Sequence, residues 1–176
     1  MSTLYILESA NLFCGDADPT KSKHLTIQEL KLPALQAQYQ DHMAGGAPVG
    51  IEIETGINKP EPSFKLVGHD PDLLRQFGLG SRIRHTYTAY SVVVDRKTGR
   101  KIERKAIIEG RLGKMEEDAF KKGDLIATDY SINEVMHYEV WFDKQEMLYW
   151  DFFTNTWRIN GSDENSDTNR ILRVTG

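Results

Sequence analysis

LPALQAQYQDHMAGGAPVGIEIETG, residues 32–56, is the stretch that decides how this chain is read. A strand-like run closes at Leu32-Pro33, and an alternating run resumes at Gly50-Ile51-Glu52-Ile53-Glu54. A hairpin reverses in about two to five residues, and a connection longer than about a dozen usually carries function. This connection also holds Leu35, Tyr39 and Met43, groups that a solvated loop has little reason to display. A long segment with its own hydrophobic anchors reads as an arm for another molecule. Assembly comes before chemistry in this sequence.

At 176 residues the chain is expected to be a single domain, 1–176, large enough to bury a core without staples. Its 39% apolar and 27% charged content is that of a water-soluble globular protein. No run approaches the roughly 20 apolar residues of a membrane span, so no membrane anchor is expected. MSTLYILESANLF lacks the basic start and small-residue cleavage site of a signal peptide. The one cysteine, Cys14, rules out an intrachain disulfide framework and suits a reducing compartment. A net charge of −4 argues against a protein that coats nucleic acid.

The pattern along the chain is mostly β. Leu25 to Leu32 reads as a first strand. Ile51 and Ile53 alternate with Glu52 and Glu54 as a half-buried strand does, and Ser63–Gly68 alternates again. One short helix follows: Asp70 caps it, Pro71 opens it, Leu73, Leu74 and Phe77 form its apolar stripe, and Gly78 stops it. YTAYSVVVD and IERKAIIEGRL then make a long hairpin turning at Gly99. Tyr130, Ile132, Met136, Tyr138, Val140 and Phe142 share one face of a later strand, interrupted by Glu134, while Ser131, Asn133, His137 and Glu139 share the other. Residues 158–176 read as a polar C-terminal arm.

Candidate chemistry is sparse. The five histidines show no metal-ligand spacing, and no cofactor motif is present. Cys14 reads as a small hydrophobe beside Leu12 and Phe13 rather than as a nucleophile. Glu116-Glu117-Asp118 reads as solvated surface. Tyr149, Trp150, Phe152, Phe153 and Trp157 lie where the charge is not basic, which favours packing or a subunit interface over base stacking. No enzyme is expected.

Charge is unevenly spread. Between 96 and 105 six basic residues face only Glu103, whereas from 109 to 151 eleven acids face five bases. Arg96, Lys97, Arg100 and Lys101 at the hairpin tip either discourage edge pairing or meet an acidic patch on a neighbouring copy. Nucleic-acid binding is a third reading, weakened by the lack of interleaved aromatics.

Asn11-Leu12-Phe13, the strand ending Leu30-Lys31-Leu32-Pro33, then Tyr39, Gly45-Gly46 and Ala47-Pro48-Val49 together resemble the major tail tube protein of contractile-tailed bacteriophages, a family that includes R-type bacteriocin tubes. The match continues through Ser63–Gly68, the short helix and Phe77-Gly78-Leu79, and loosens beyond Gly80 to an extended hairpin, the 130–142 strand and Ile159-Asn160-Gly161. The basic tip departs from the pattern. This resemblance implies an antiparallel β-sandwich or open barrel with one flanking helix and long extended loops. Six protomers would close a ring around a continuous inner β-barrel, and rings would stack. Residues 32–56 would be the inter-subunit arm, with Leu35, Tyr39, Met43, Gly45, Gly46 and Pro48 as its stacking contacts. The implied partners are other copies of the chain, the tail sheath protein, the tape measure protein, and baseplate or hub and tail terminator proteins. DNA would pass through the lumen without specific binding, past acids such as Glu134 and Glu139. The implied location is the virion, with assembly in the host cytoplasm. The tube of a related contractile injection apparatus is the alternative, and a small β-barrel binding protein or hydrolase a distant one.

Overall fold

β-Branched and aromatic runs that alternate with polar residues dominate this chain, and they form antiparallel strands. The structure, a computed structural model, describes residues 2–15, 18–77, 80 and 82–174. β1 (Tyr5–Cys14), β2 (Ile27–Lys31), β3 (Ala37–His42), β4 (Ile51–Ile57) and β5 (Ser63–Val67) precede the helix α1 (Pro71–Phe77). β6 (His85–Asp95), β7 (Lys101–Glu117), β8 (Ala127–Phe142), β9 (Gln145–Asp151), β10 (Thr156–Ile159), β11 (Ser162–Asp163) and a second helix, α2 (Ser166–Leu172), follow.

Nine of these strands form one antiparallel sheet, with the main path β1-β6-β7-β8-β9-β10-β11. β8 is long enough to hold two neighbours along one edge, β5 beside its first half and β9 beside its second. β2 extends β5 and lies against β1, which curls the sheet around its own core. That core contains Leu12, Phe64, Leu66, Leu73, Tyr87, Ile108 and Tyr130, with Phe64 stacked on Tyr130 at 4.9 Å between ring centres. Helix α1 closes one side through the fully buried Leu73. Its start is as expected: the Asp70 carboxylate accepts from the Leu73 and Asp72 amides and pairs with Lys23. Leu74, expected in the apolar stripe, is exposed, and the expected stop at Gly78 lies outside the described residues.

Several expectations need correction. The strand read from Leu25 starts at Ile27, because the Thr26 and Ile27 amides both donate to the Lys23 carbonyl and close a turn first. The connection read as one long loop contains strand β3. The strand at Ile51, read as half-buried, is exposed on both faces, with no packed layer over it among the described residues. Residues 158–176, read as an arm, hold the end of β10, then β11 and α2. Asn155 anchors that helix: its side chain donates to Asn169 Oδ1 at 2.7 Å, and its carbonyl accepts from the Asn165 and Asn169 side chains.

The interruption at Glu134 is a bulge. Glu134 sits at φ 47°, and the ladder jumps from Glu109↔His137 to Arg111↔Asn133. The bulge moves Val135 into the core, where Met136 was expected, and presses β8 against β7 at Gly110. A Cβ there would lie 2.7 Å from Ile132 Cγ2 and 2.9 Å from the Asn133 carbonyl oxygen.

Candidate assembly surface

β3 and β4 form a two-stranded sheet separate from the main one. Directly opposed residues share a face and successive residues change face, so the register sorts the side chains. Gln40 opposes Ile53 and His42 opposes Ile51 on one face, while Tyr39 opposes Glu54 and Asp41 opposes Glu52 on the other. One face is thus apolar and neutral, the other acidic around Tyr39. A bulge beside Thr55 re-aims the base of the hairpin, where Ala37 meets Ile57. At the far end the Ala47 amide donates to the Ala44 carbonyl at 3.0 Å, placing Gly45 and Gly46 at the centre of the reversal. Met43 and Val49 flank it, 67% and 71% exposed, and Pro48 is exposed beside them.

The six arm residues therefore occupy three levels. Tyr39 is midway along the hairpin, and Met43, Gly45, Gly46 and Pro48 are at its tip. Leu35 is at its root, beside a groove of about 630 Å³ lined by Ile57, Met136, Tyr138, Trp150 and Trp157.

The charged candidates are engaged more than their spacing suggested. In the turn between β6 and β7, the Asp95 carboxylate accepts from the Thr3 hydroxyl, the Lys97 amide and the Thr98 hydroxyl. Those bonds, the Thr3 bond foremost, hold its carboxyl below the usual range. Arg100 grips Asp143 with two hydrogen bonds, at 2.7 and 2.8 Å, and Lys101 reaches Glu8 at 3.8 Å. Arg96 and Lys97 stay exposed at the tip. Glu134 is bound by Arg111 at 3.0 Å. Glu139, on the sheet face opposite the core, accepts from Trp141 Nε1 at 2.8 Å and lies 3.6 Å from His137 Nε2. Glu134 lies within the bulge and Glu139 beyond it, opposite Ile107 in the regular ladder.

Burial pushes the Cys14 thiol up to about 12, a protonated and unreactive state. Among the described residues no group of three or more His, Cys, Asp or Glu side chains is arranged to hold a metal ion. His137 lies between Glu139 and Asp151, a polar cluster on a sheet face rather than in a cleft.

A projecting two-faced hairpin on a curled antiparallel sheet is a brick with an unsatisfied surface. The sequence matches the family of phage tail tube protein FII over residues 6–172. The chain belongs to that family. No curated protein matches this tail tube family member. Its fold is similar to that of a chain in the six-fold symmetrised baseplate of the anti-feeding prophage (AFP), 12% identical with a TM-score of 0.53, covering 82% of this chain and 99% of the other. A chain of the PVC sheath-tube complex, from an extracellular contractile injection system in its extended state, is 6% identical with a TM-score of 0.52, covering 76% and 88%. A chain of the PVC sheath/tube terminator is 7% identical with a TM-score of 0.51, covering 76% and 93%. At these identities the likeness is one of fold alone.

For a tail tube family member, the surfaces missed in the sequence matter as much as those found. Ile51 and Ile53 are visible as alternating residues of a half-buried strand, yet both faces of that strand are exposed among the described residues. Tyr5 and Leu7 expose about half their surface on the edge strand β1, whose outer edge is hydrogen-bonded to no strand among the described residues, although β2 lies beside it. An N-terminal run without regular alternation gave no signal for that edge.

Proposed function

We propose that this chain builds the inner tube of a contractile phage tail, as hexameric rings stacked along one axis, and that the tube is the conduit for DNA ejection. The observation that carries this reading is the β3–β4 hairpin, bare on both faces, in a chain of the tail tube family. A two-stranded hairpin is marginal by itself in water, so its bare faces call for a neighbour. The unpaired edge of β1 supports ring closure by strand pairing, which would satisfy its backbone groups. The hairpin, with Tyr39, Met43 and the Gly45-Gly46-Ala47-Pro48 turn, is the stacking arm, and a contact of that kind repeats without closing. The sheath, tape measure, baseplate or hub and terminator proteins are its proposed partners, and the virion tail its place after assembly in the host cytoplasm. Glu134 and Glu139 are proposed to face the channel.

Negative-stain microscopy of the purified protein tests this: six-fold rings or tubes are expected. Replacing Tyr39 and Met43 by Asp should leave a folded monomer, checked by circular dichroism, and abolish tubes. Normal tubes from that variant would sink the assignment of the arm. The tube of an extracellular contractile injection system is the second reading, supported by the fold likeness to two such assemblies. Packaged DNA in native particles separates the two.

A further inference from the structure

The acids of this chain divide sharply by whether they have a partner. From 109 to 151 eight of the eleven acids meet an Arg or Lys of their own chain, as Glu134 meets Arg111 and Glu146 meets Arg158, while Glu139 and Asp151 share His137. That segment offers a neighbour less charge than its count of acids suggests. Asp41, Glu52 and Glu54 differ. They share one face of the β3–β4 hairpin, Asp41 stands directly across from Glu52, and none has an ion pair among the described residues. Like charges directly opposed destabilise a strand pair.

The other face of the hairpin bears Ile51 and Ile53, about half exposed, with Met43 and Val49 at the tip. Burying that apolar face draws the whole two-stranded ribbon into an interface. The acids on its reverse side then lose water, and a desolvated carboxylate needs a cation. The turn between β6 and β7 projects Arg96 and Lys97, with Arg100 and Lys101 beside them.

We propose that the acidic face of the hairpin seats against the β6–β7 turn of a second copy of this chain, with Arg96 and Lys97 meeting Asp41, Glu52 and Glu54. This rests on the tube reading and names the partner surface of its arm. Donor and receiver are different parts of the molecule, so the contact is head-to-tail and adds copies without limit. Arg96 and Lys97 steer the approach as well as hold it, which makes assembly sensitive to salt.

Charge reversal tests it. Three variants are compared with the wild-type chain by pelleting and negative stain: Asp41→Lys with Glu52→Lys, Arg96→Glu with Lys97→Glu, and all four together. Each pair alone should lower polymer yield at least tenfold, and the fourfold variant should recover most of it, since its signs are complementary again. Wild-type tubes that survive either reversal overturn the proposal. So does loss in both without recovery, which would place the acids against the sheath or in channel water. Asp41→Asn with Glu52→Gln guards against misfolding, because it removes the opposed charges from the hairpin. Its yield should still fall several-fold, and an unchanged yield overturns the proposal. If the wild-type chain forms neither rings nor tubes, the tube reading fails first and this contact fails with it.

Discussion

Cys14 shows how position overrides residue type. Burial raises its thiol to about 12 from an ordinary 9.0, so the folded chain keeps a proton that the unfolded chain releases earlier. The stability this represents is whole below pH 9 and drains away as pH rises toward 12. The native thiol should therefore ignore a thiol reagent at pH 8 and react fully in urea; prompt labelling of the native protein would contradict its burial. Gly110 is set by contact rather than by turn geometry. Alanine there must displace the Asn133 carbonyl across the bulge, and overpacking of this kind costs about 1–3 kcal/mol. Urea unfolding of Gly110→Ala should show that loss, and an unchanged midpoint would mean the bulge yields easily.

Elements whose own chain covers them could be read from the sequence. Asp70 and Pro71 announced α1, and the paired runs around Gly99 announced the β6–β7 hairpin. Elements held from elsewhere could not. β3, AQYQDH, is polar on both sides and carries no alternating signal. Helix α2 is seven residues of mostly weak helix formers, and what docks it is the Asn155 side chain, far outside any helical pattern. The hairpin of β3 and β4 should be the least protected strand pair in the free monomer. Its backbone bonds have no packed layer above or below, so its amides should exchange near the unstructured rate and slow by orders of magnitude after assembly. Strong protection in the monomer would show that the hairpin is stable alone.

Across the whole molecule the candidate surface was only half legible. Tyr39 and Met43 stood out because apolar groups interrupted a polar stretch. Pairing between acids and bases cannot be seen in a linear count, so the segment from 109 to 151 looked more acidic than it behaves. Glu134 illustrates the consequence for passage of DNA. Neutralising it takes one carboxylate away from Arg111, so a lining that included this pair would become less acidic and hold phosphate more strongly. Tubes carrying Glu134→Gln and Glu139→Gln should retain more DNA in a binding assay, with the excess lost at high salt; equal retention would remove both residues from the channel.

The β3–β4 hairpin has a further consequence. Under the proposed contact each copy would offer the same hairpin and the same receiving turn whatever its position in a stack, so no copy would hold a record of how many came before it. A polymer built from such identical joints has a defined pitch and no defined length. On that proposal, a particle of fixed length made from this chain would take its count from a different molecule, one that acts as a ruler.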